Sequence, residues 1–170
     1  MRAALIITLG GLCALTSACA SMETTPVNLA AAENVASSPQ PLAGHDWFFD
    51  SDQGQAGLVY GLADSDDIWL TLTCRTGSGS LDLSQPATPS QPRVIALESG
   101  GDTETYRARV EPSEMYEDGI LMASAKTADP VFQRFRRVGW LAHFGPDHRA
   151  TMVPQPGSTD RIEAFFAFCG

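Results

Sequence analysis

Hydrophobic and polar residues alternate along much of the chain beyond residue 44, with the period of two that is typical of half-buried β-strands. The alternation is clearest from Asp67 to Arg75. One face of this segment carries Ile68, Leu70, Leu72 and Cys74. The other face carries Trp69, Thr71, Thr73 and Arg75. The pattern predicts a strand with one apolar side toward a core and one polar side toward solvent.

Turn residues divide the following region into further short strands. The predicted strands are Leu81–Leu83, Arg93–Glu98, Thr103–Val110 and Gly119–Lys126. Gly77–Ser80 predicts a tight reversal, Gln85–Pro92 a proline-rich loop, and Gly100 with Gly101 a hairpin turn. About five to eight strands are expected in all. The chain is therefore predicted to be mainly β, as a small antiparallel sandwich or a partly closed barrel.

Two helices are predicted beside the strands. Asp129 and Pro130 are suited to a helix start and Gly139 to a helix end, which predicts about two turns between them. Near the C-terminus, Asp160 and Glu163 have the spacing of a capping box. The apolar residues that follow at i, i+3, i+4 and i+7 are Ile162, Phe165, Phe166 and Cys169. This single apolar face predicts a C-terminal helix packed on the sheet.

The N-terminus has the layout of an export signal, because Arg2 precedes an apolar run over residues 3–15 and then small residues. Ser17 and Ala18 stand directly before Cys19, with Thr16 in the place usually held by an aliphatic residue. This arrangement resembles the lipobox of bacterial lipoproteins, in which the cysteine becomes the lipidated first residue. Cleavage after Ala20 by the ordinary A-x-A rule is the alternative, and it would release a soluble periplasmic protein.

The resemblance to bacterial lipoproteins implies a diacylglycerol on Cys19 and attachment to a membrane. Ala20 follows that cysteine, where an aspartate would retain many such proteins at the inner membrane, so the outer membrane facing the periplasm is expected. The predicted organisation is a signal peptide over residues 1–18 and a lipidated cysteine with a flexible tether over residues 19–43. A single mostly-β domain is expected over residues 44–170.

The charge of the chain limits its partners. The formal net charge is −9, and it becomes −10 when Arg2 leaves with the signal. Nucleic-acid binding is not expected, because it usually requires a basic surface. The expected partners are the membrane, through the lipid, and a protein of the envelope, with the chain itself a monomer.

The cysteines predict one disulfide. Cys13 is expected to leave with the signal and Cys19 to carry lipid, so Cys74 and Cys169 remain in an oxidising compartment. Each of the two lies on the apolar face of its predicted element. We expect them to pair and to attach the C-terminal helix to the sheet. Two buried free thiols are the alternative.

Motifs that carry chemistry are sparse. The three histidines His45, His143 and His148 match no zinc spacing, and no metal or cofactor is expected. The acidic segment Asp64–Asp67 is interpreted as a solvated turn. Ser78 lacks the glycine spacing of a hydrolase nucleophile.

Five arginines are candidates for binding phosphate or carboxylate groups: Arg107, Arg109, Arg134, Arg136 and Arg137. The first two are expected on one strand face and the others on the short helix. Ordinary ion pairing with the excess of acidic residues is the alternative.

The predicted function is a binding or accessory role of a lipid-anchored envelope protein that is not an enzyme. One alternative is an acidic inhibitor of an envelope hydrolase, and another is a hydrolase that acts on cell-wall material. A polar cleft with a buried histidine or carboxylate pair would favour an enzyme. An exposed apolar patch without such a pair would favour docking.

Overall fold

The computed structural model describes residues 38–89, 91–145 and 148–170. The predicted signal peptide, Cys19 and the tether up to residue 37 lie outside these residues, and so do Ser90, Pro146 and Asp147. Residues 38–43 lead into the first strand, and the Leu42 carbonyl oxygen accepts a hydrogen bond from Gln155 Nε2 at 2.7 Å.

The described residues form ten strands and two helices. In chain order they are β1 (His45–Asp52), β2 (Gln55–Leu62), β3 (Ile68–Arg75), β4 (Ser80–Pro86), β5 (Val94–Ser99), β6 (Asp102–Arg107), β7 (Arg109–Glu111), β8 (Ile120–Lys126), α1 (Pro130–Val138), β9 (Leu141–Phe144), β10 (Arg149–Met152) and α2 (Thr159–Cys169). One sheet has the order β1-β2-β3-β4-β8-β7 and the other β10-β9-β5-β6. Every pairing is antiparallel.

The core lies on the inner faces of the two sheets and beneath the two helices. Strands β3 and β5 alternate as their sequences predict, with Leu70 and Leu72 on one and Ile95 and Leu97 on the other fully buried. This confirms the mainly β class with a short helix and a C-terminal helix. The two sheets remain separate, so a sandwich describes the domain and a closed barrel does not.

The predicted strand Thr103–Val110 is two strands in the structure. Strand β6 ends at Arg107 and pairs with β5, whereas β7 begins at Arg109 and pairs with β8 in the other sheet. The chain crosses between the sheets at Ala108, which is buried and whose N–H donates to the Arg93 carbonyl oxygen at 3.0 Å. The prediction that Arg107 and Arg109 share one strand face is therefore wrong.

Helix α1 follows its sequence signals closely. It begins at Pro130, and Gly139 ends it with a left-handed backbone at φ 76°, a conformation that glycine adopts without steric cost. The buried side of the helix consists of Val131, Phe132 and Phe135. Both the predicted start and the predicted end are confirmed.

Helix α2 buries the predicted face but begins differently. Ile162, Phe165, Phe166 and Cys169 are buried, as expected. The helix starts at Thr159, so Asp160 lies inside its first turn and the predicted capping box does not form. Ser158 precedes the helix, but its hydroxyl donates to Asp46 Oδ2. Glu163 pairs with Arg136 at 2.9 Å.

The C-terminal end of α2 is attached to the turn between β3 and β4. Cys74 and Cys169 form a disulfide, with their Cα atoms 5.7 Å apart, which confirms the predicted pairing. Gly77 N–H donates to the Phe168 carbonyl oxygen, and Gly79 N–H donates to that of Cys169, both at 2.9 Å. These two glycines satisfy carbonyl groups that a helix end otherwise leaves without partners.

The N-terminal end of α2 is held by Asp46 of β1. The Asp46 carboxylate accepts hydrogen bonds from the Gln155 backbone N–H at 2.9 Å and from the Arg161 guanidinium at 2.8 Å. Asp46 is buried, so these donors replace the water that an ionised carboxylate requires. Both ends of α2 are therefore fixed to the six-stranded sheet.

Replacing both cysteines by alanine should lower the free energy of unfolding by about 3 kcal/mol, because the bridge closes a long loop and limits the unfolded chain. Urea denaturation of the Cys74→Ala/Cys169→Ala variant and of the wild type checks this. Wild-type protein reduced with dithiothreitol should match the variant. An unfolding midpoint that does not move upon reduction would contradict the stabilising role of the bridge.

Candidate functional site

A cavity of about 240 Å³ opens at one end of the sandwich, where residues of both sheets meet. Its walls come from the end of the β2–β3 turn, the start of β3, the end of β4 with residues of the loop that follows it, the loop before β8 and the β9–β10 hairpin. The lining includes Asp66, Asp67, Ile68, Trp69, Gln85, Pro86, Thr88, Gln91, Tyr116, His143, Gly145 and His148. We treat this cavity, called the Trp69 pocket below, as the candidate functional site.

A β-bulge places Trp69 in the pocket. Tyr60 of β2 pairs with Leu70, but the next residue, Gly61, pairs with Ile68, so Trp69 has no partner across the ladder. A Cβ atom on Gly61 would collide with the Asp67 carbonyl oxygen, so the close approach at the bulge requires glycine here. Bulges re-aim side chains, and Trp69 packs against the core instead of lying on the polar face with Thr71. Its predicted position is therefore wrong.

The acidic turn contributes a fixed carboxylate. Asp67 Oδ1 accepts a hydrogen bond from the Trp69 indole Nε1–H at 3.0 Å. Its Oδ2 accepts one from His45 Nε2 at 3.0 Å, since an ionised carboxylate has no proton to donate. The turn is exposed, as expected, but Asp67 also orients the indole that forms the pocket wall.

His143 is a pocket residue with a strongly lowered pKa. It lies on β9 opposite Leu97, and neither of its ring nitrogens has a hydrogen-bond partner among the described residues. Burial, with the neighbouring His148 as a smaller cause, lowers the pKa of His143 to about 4. The ring is therefore neutral at pH 7, with one N–H and one bare nitrogen.

Gln85 provides a second buried polar group without a partner. It was expected at the start of a loop, but it belongs to β4 and is only 4% exposed. Its Oε1 accepts no hydrogen bond from the part of the chain that the structure describes. Buried polar atoms are nearly always satisfied, so an unsatisfied one beside a cavity indicates a water or ligand partner.

The charge of the pocket is negative. Asp66 and Asp67 are its charged lining residues, and the described lining contains neither lysine nor arginine. Tyr116 faces both carboxylates, and its hydroxyl donates to the Asp66 carbonyl oxygen at 3.2 Å. Burial, followed by the charges of Asp66 and Asp67, raises the pKa of Tyr116.

Two histidines flank Trp69 and the third lies beside one of them, an arrangement that their sequence spacing does not indicate. The Trp69 ring lies 4.9 Å from that of His45 and 5.8 Å from that of His143, measured between centroids. His148 lies 6.1 Å from His143. Within residues 38–89, 91–145 and 148–170, no group of three or more histidine, cysteine, aspartate or glutamate side chains is arranged to hold a metal.

Three of the candidate binding arginines form ion pairs instead of a common surface. Arg134 of α1 contacts Glu104 of β6 at 2.9 Å and also donates to the Ser99 carbonyl oxygen. Arg136 pairs with Glu163, as described above, and its guanidinium lies over the Phe166 ring. Arg109 pairs with Glu111 at 2.8 Å.

The other two candidate arginines, Arg107 and Arg137, are exposed and form no ion pair within the described part of the chain. None of the five arginines lines the Trp69 pocket.

No family model, curated protein or solved structure matches this chain. Neither of the two described helices is long and apolar enough to cross a membrane.

His143 should make the protein less stable in mild acid. Its pKa is lowered in the folded state, so the unfolded chain binds the proton first as the pH falls from about 6.5 toward 4. The stability that neutral His143 contributes is therefore complete above pH 6.5 and should decrease by about 3 kcal/mol toward pH 4. Urea denaturation at successive pH values, compared between wild type and His143→Gln, isolates this loss. Parallel stability curves for the two proteins would contradict the prediction.

Proposed function

We propose that the protein is a lipid-anchored component of the bacterial envelope with a binding role, and that the Trp69 pocket is its binding site. The observation that carries this proposal is that two residues lining the pocket contain unpartnered buried polar atoms: Gln85 Oε1 and both His143 nitrogens lack partners within the described residues. A stability-selected core would place apolar side chains at these positions, because an unsatisfied buried polar group costs about 1–3 kcal/mol. A bound partner would satisfy them.

Binding agrees better with the geometry than catalysis does. The pocket meets one expectation for an enzyme, because it contains a buried histidine. A catalytic base, however, usually needs a second group that orients it, and His143 has no such partner in the described chain. Among residues 38–89, 91–145 and 148–170, the histidine with a carboxylate partner is His45, which is 9% exposed and is not part of the lining.

A hydrolase remains the alternative, with His143 activating a water molecule directly. The His143→Gln variant separates the two functions, because it would abolish hydrolysis while leaving the other contacts of a binding site in place.

The envelope location rests on the N-terminal segment and on charge. The lipobox-like sequence ending at Cys19 supports lipid attachment. The proposed location is the outer membrane, on the side that faces the periplasm. A net charge of −9 supports association with basic envelope proteins. Inhibition of a basic hydrolase would be a special case of such association.

Mature protein isolated from a bacterial envelope should begin at Cys19 and carry a diacylglycerol on its sulfur. Mass spectrometry of the N-terminal peptide measures this directly. Cys19→Ser should release the domain from the membrane fraction, whereas the matched Cys13→Ser variant should remain attached because that residue leaves with the signal. An unmodified N-terminus at Ser21 would contradict the lipid anchor.

Gln85→Leu should remove binding without removing stability. The substitution replaces an unsatisfied buried amide with an apolar side chain of similar size, so the free energy of unfolding should stay equal or rise by up to about 1 kcal/mol. Crosslinking in intact envelopes, followed by mass spectrometry, should identify a partner that wild type captures and Gln85→Leu does not. Gln55 is exposed at the start of β2 and does not line the pocket, so the control variant Gln55→Leu should capture the partner as wild type does. Equal capture by Gln85→Leu would remove the pocket from the proposed function.

A further inference from the structure

We propose that the Trp69 pocket binds an aliphatic cation, namely the guanidinium or ammonium group of an arginine or lysine side chain on a protein partner. This inference rests on the proposed binding function and adds the chemistry of the ligand. It follows from three independent properties of the pocket: the sign of its charges, its unpartnered hydrogen-bond acceptors and its aromatic walls.

The charges of the lining favour a positive ligand. Asp66 and Asp67 supply two carboxylates, and the described lining holds no lysine or arginine to neutralise them. Asp67 already accepts hydrogen bonds from His45 and Trp69. The Asp66 carboxylate accepts none within the described residues, and the backbone oxygen of this residue accepts from the Ile68 N–H and the Tyr116 hydroxyl. Asp66 is therefore the carboxylate available to a ligand.

The pocket residues carry hydrogen-bond acceptors without a partner. Gln85 Oε1 is one of them, and neutral His143 adds one bare ring nitrogen beside its N–H. Together with the Asp66 carboxylate they form a set that needs several donors. A guanidinium carries five N–H donors and an ammonium three, and neither has an acceptor to be left unsatisfied. A phosphate or carboxylate ligand would instead bring more acceptors and more negative charge.

The aromatic walls suit a cation for a separate reason. Trp69 and Tyr116 line the pocket, and the face of an aromatic ring attracts a cation placed within about 6 Å of its centre. The same rings pack against the methylene groups of an arginine or lysine stem. A long side chain with a charged end therefore fits better than a free metal ion, which finds no group of three suitable ligands among the described residues.

A matched pair of small probes tests the charge requirement. N-acetyl-arginine amide and N-acetyl-citrulline amide have nearly the same shape, but citrulline carries a neutral urea in place of the guanidinium. Each probe is titrated into the protein, and the signal of the Trp69 indole N–H is followed by nuclear magnetic resonance. This N–H donates a hydrogen bond to Asp67 and therefore reports on the pocket. Tri-N-acetylglucosamine serves as a neutral carbohydrate probe.

The arginine probe is expected to bind at least about tenfold more tightly than the citrulline probe, and more weakly as salt is added. Equal binding of the two, or binding of the carbohydrate alone, would overturn the cation inference while leaving a binding pocket. If none of the three probes moves the Trp69 signal, the cation inference is wrong, whereas the proposed binding site is decided by the comparison of partner capture between wild type and Gln85→Leu.

Two substitutions in the acidic turn Asp64–Asp67 identify the carboxylate that binds the cation. Asp66→Asn should weaken binding of the arginine probe about tenfold and leave the citrulline probe unchanged. Asp64→Asn makes the same change of charge two residues away, outside the lining, and asparagine tolerates the left-handed backbone of that position at φ 55°. It should retain wild-type binding. An equal effect of both substitutions would mean that general surface charge, and not this pocket, attracts the probe.

Discussion

The attachment of helix α2 to the six-stranded sheet is the constraint on which the rest of the domain depends. The inner faces of β1 and β2 are apolar, and α2 is the element that packs against both. The Cys74–Cys169 disulfide holds one end of the helix, and Asp46 holds the other through Ser158 and Arg161. Asp46 and His45 are neighbours on β1, so the strand that anchors the helix also supports the Asp67 carboxylate beside the pocket.

Local sequence signals predict most of this architecture because they describe elements whose periodicity is undisturbed. The apolar faces of β3 and α2 and the ends of α1 follow directly from residue spacing. The position of Trp69 does not, since a bulge adds one residue to β3 and breaks the period of two. Gly61 is the signal that could have indicated it, because an isolated glycine within a strand often marks a bulge or a close backbone approach. The switch of sheets at Ala108 has no comparably clear signal.

The histidine cluster could not be predicted from spacing, because it depends on how the two sheets face each other. His143 belongs to β9, in a different sheet from His45 and Trp69, and their meeting is a property of packing across the sandwich. The contrast with the arginines is informative. Arg134, Arg136, Arg149 and Arg161 all reach acidic partners. Trp47 Nε1 and the Tyr60 hydroxyl are also buried without a partner among the described residues, but neither residue lines the Trp69 pocket. Gln85 and His143 carry their unpartnered atoms in residues that line a cavity, and natural proteins tend to keep such exceptions at functional sites.

The sequence separation of 95 residues from Cys74 to Cys169 also determines the order in which the domain can be completed. A ribosome finishes β1–β3 long before it makes the helix that covers them, so Leu58 and Leu70 have no cover from α2 during most of synthesis. Contacts this distant along the chain form slowly, because a long loop must close first. The domain cannot be completed strand by strand as it emerges, and its native core is assembled only after α2, the last of the described elements, has been made.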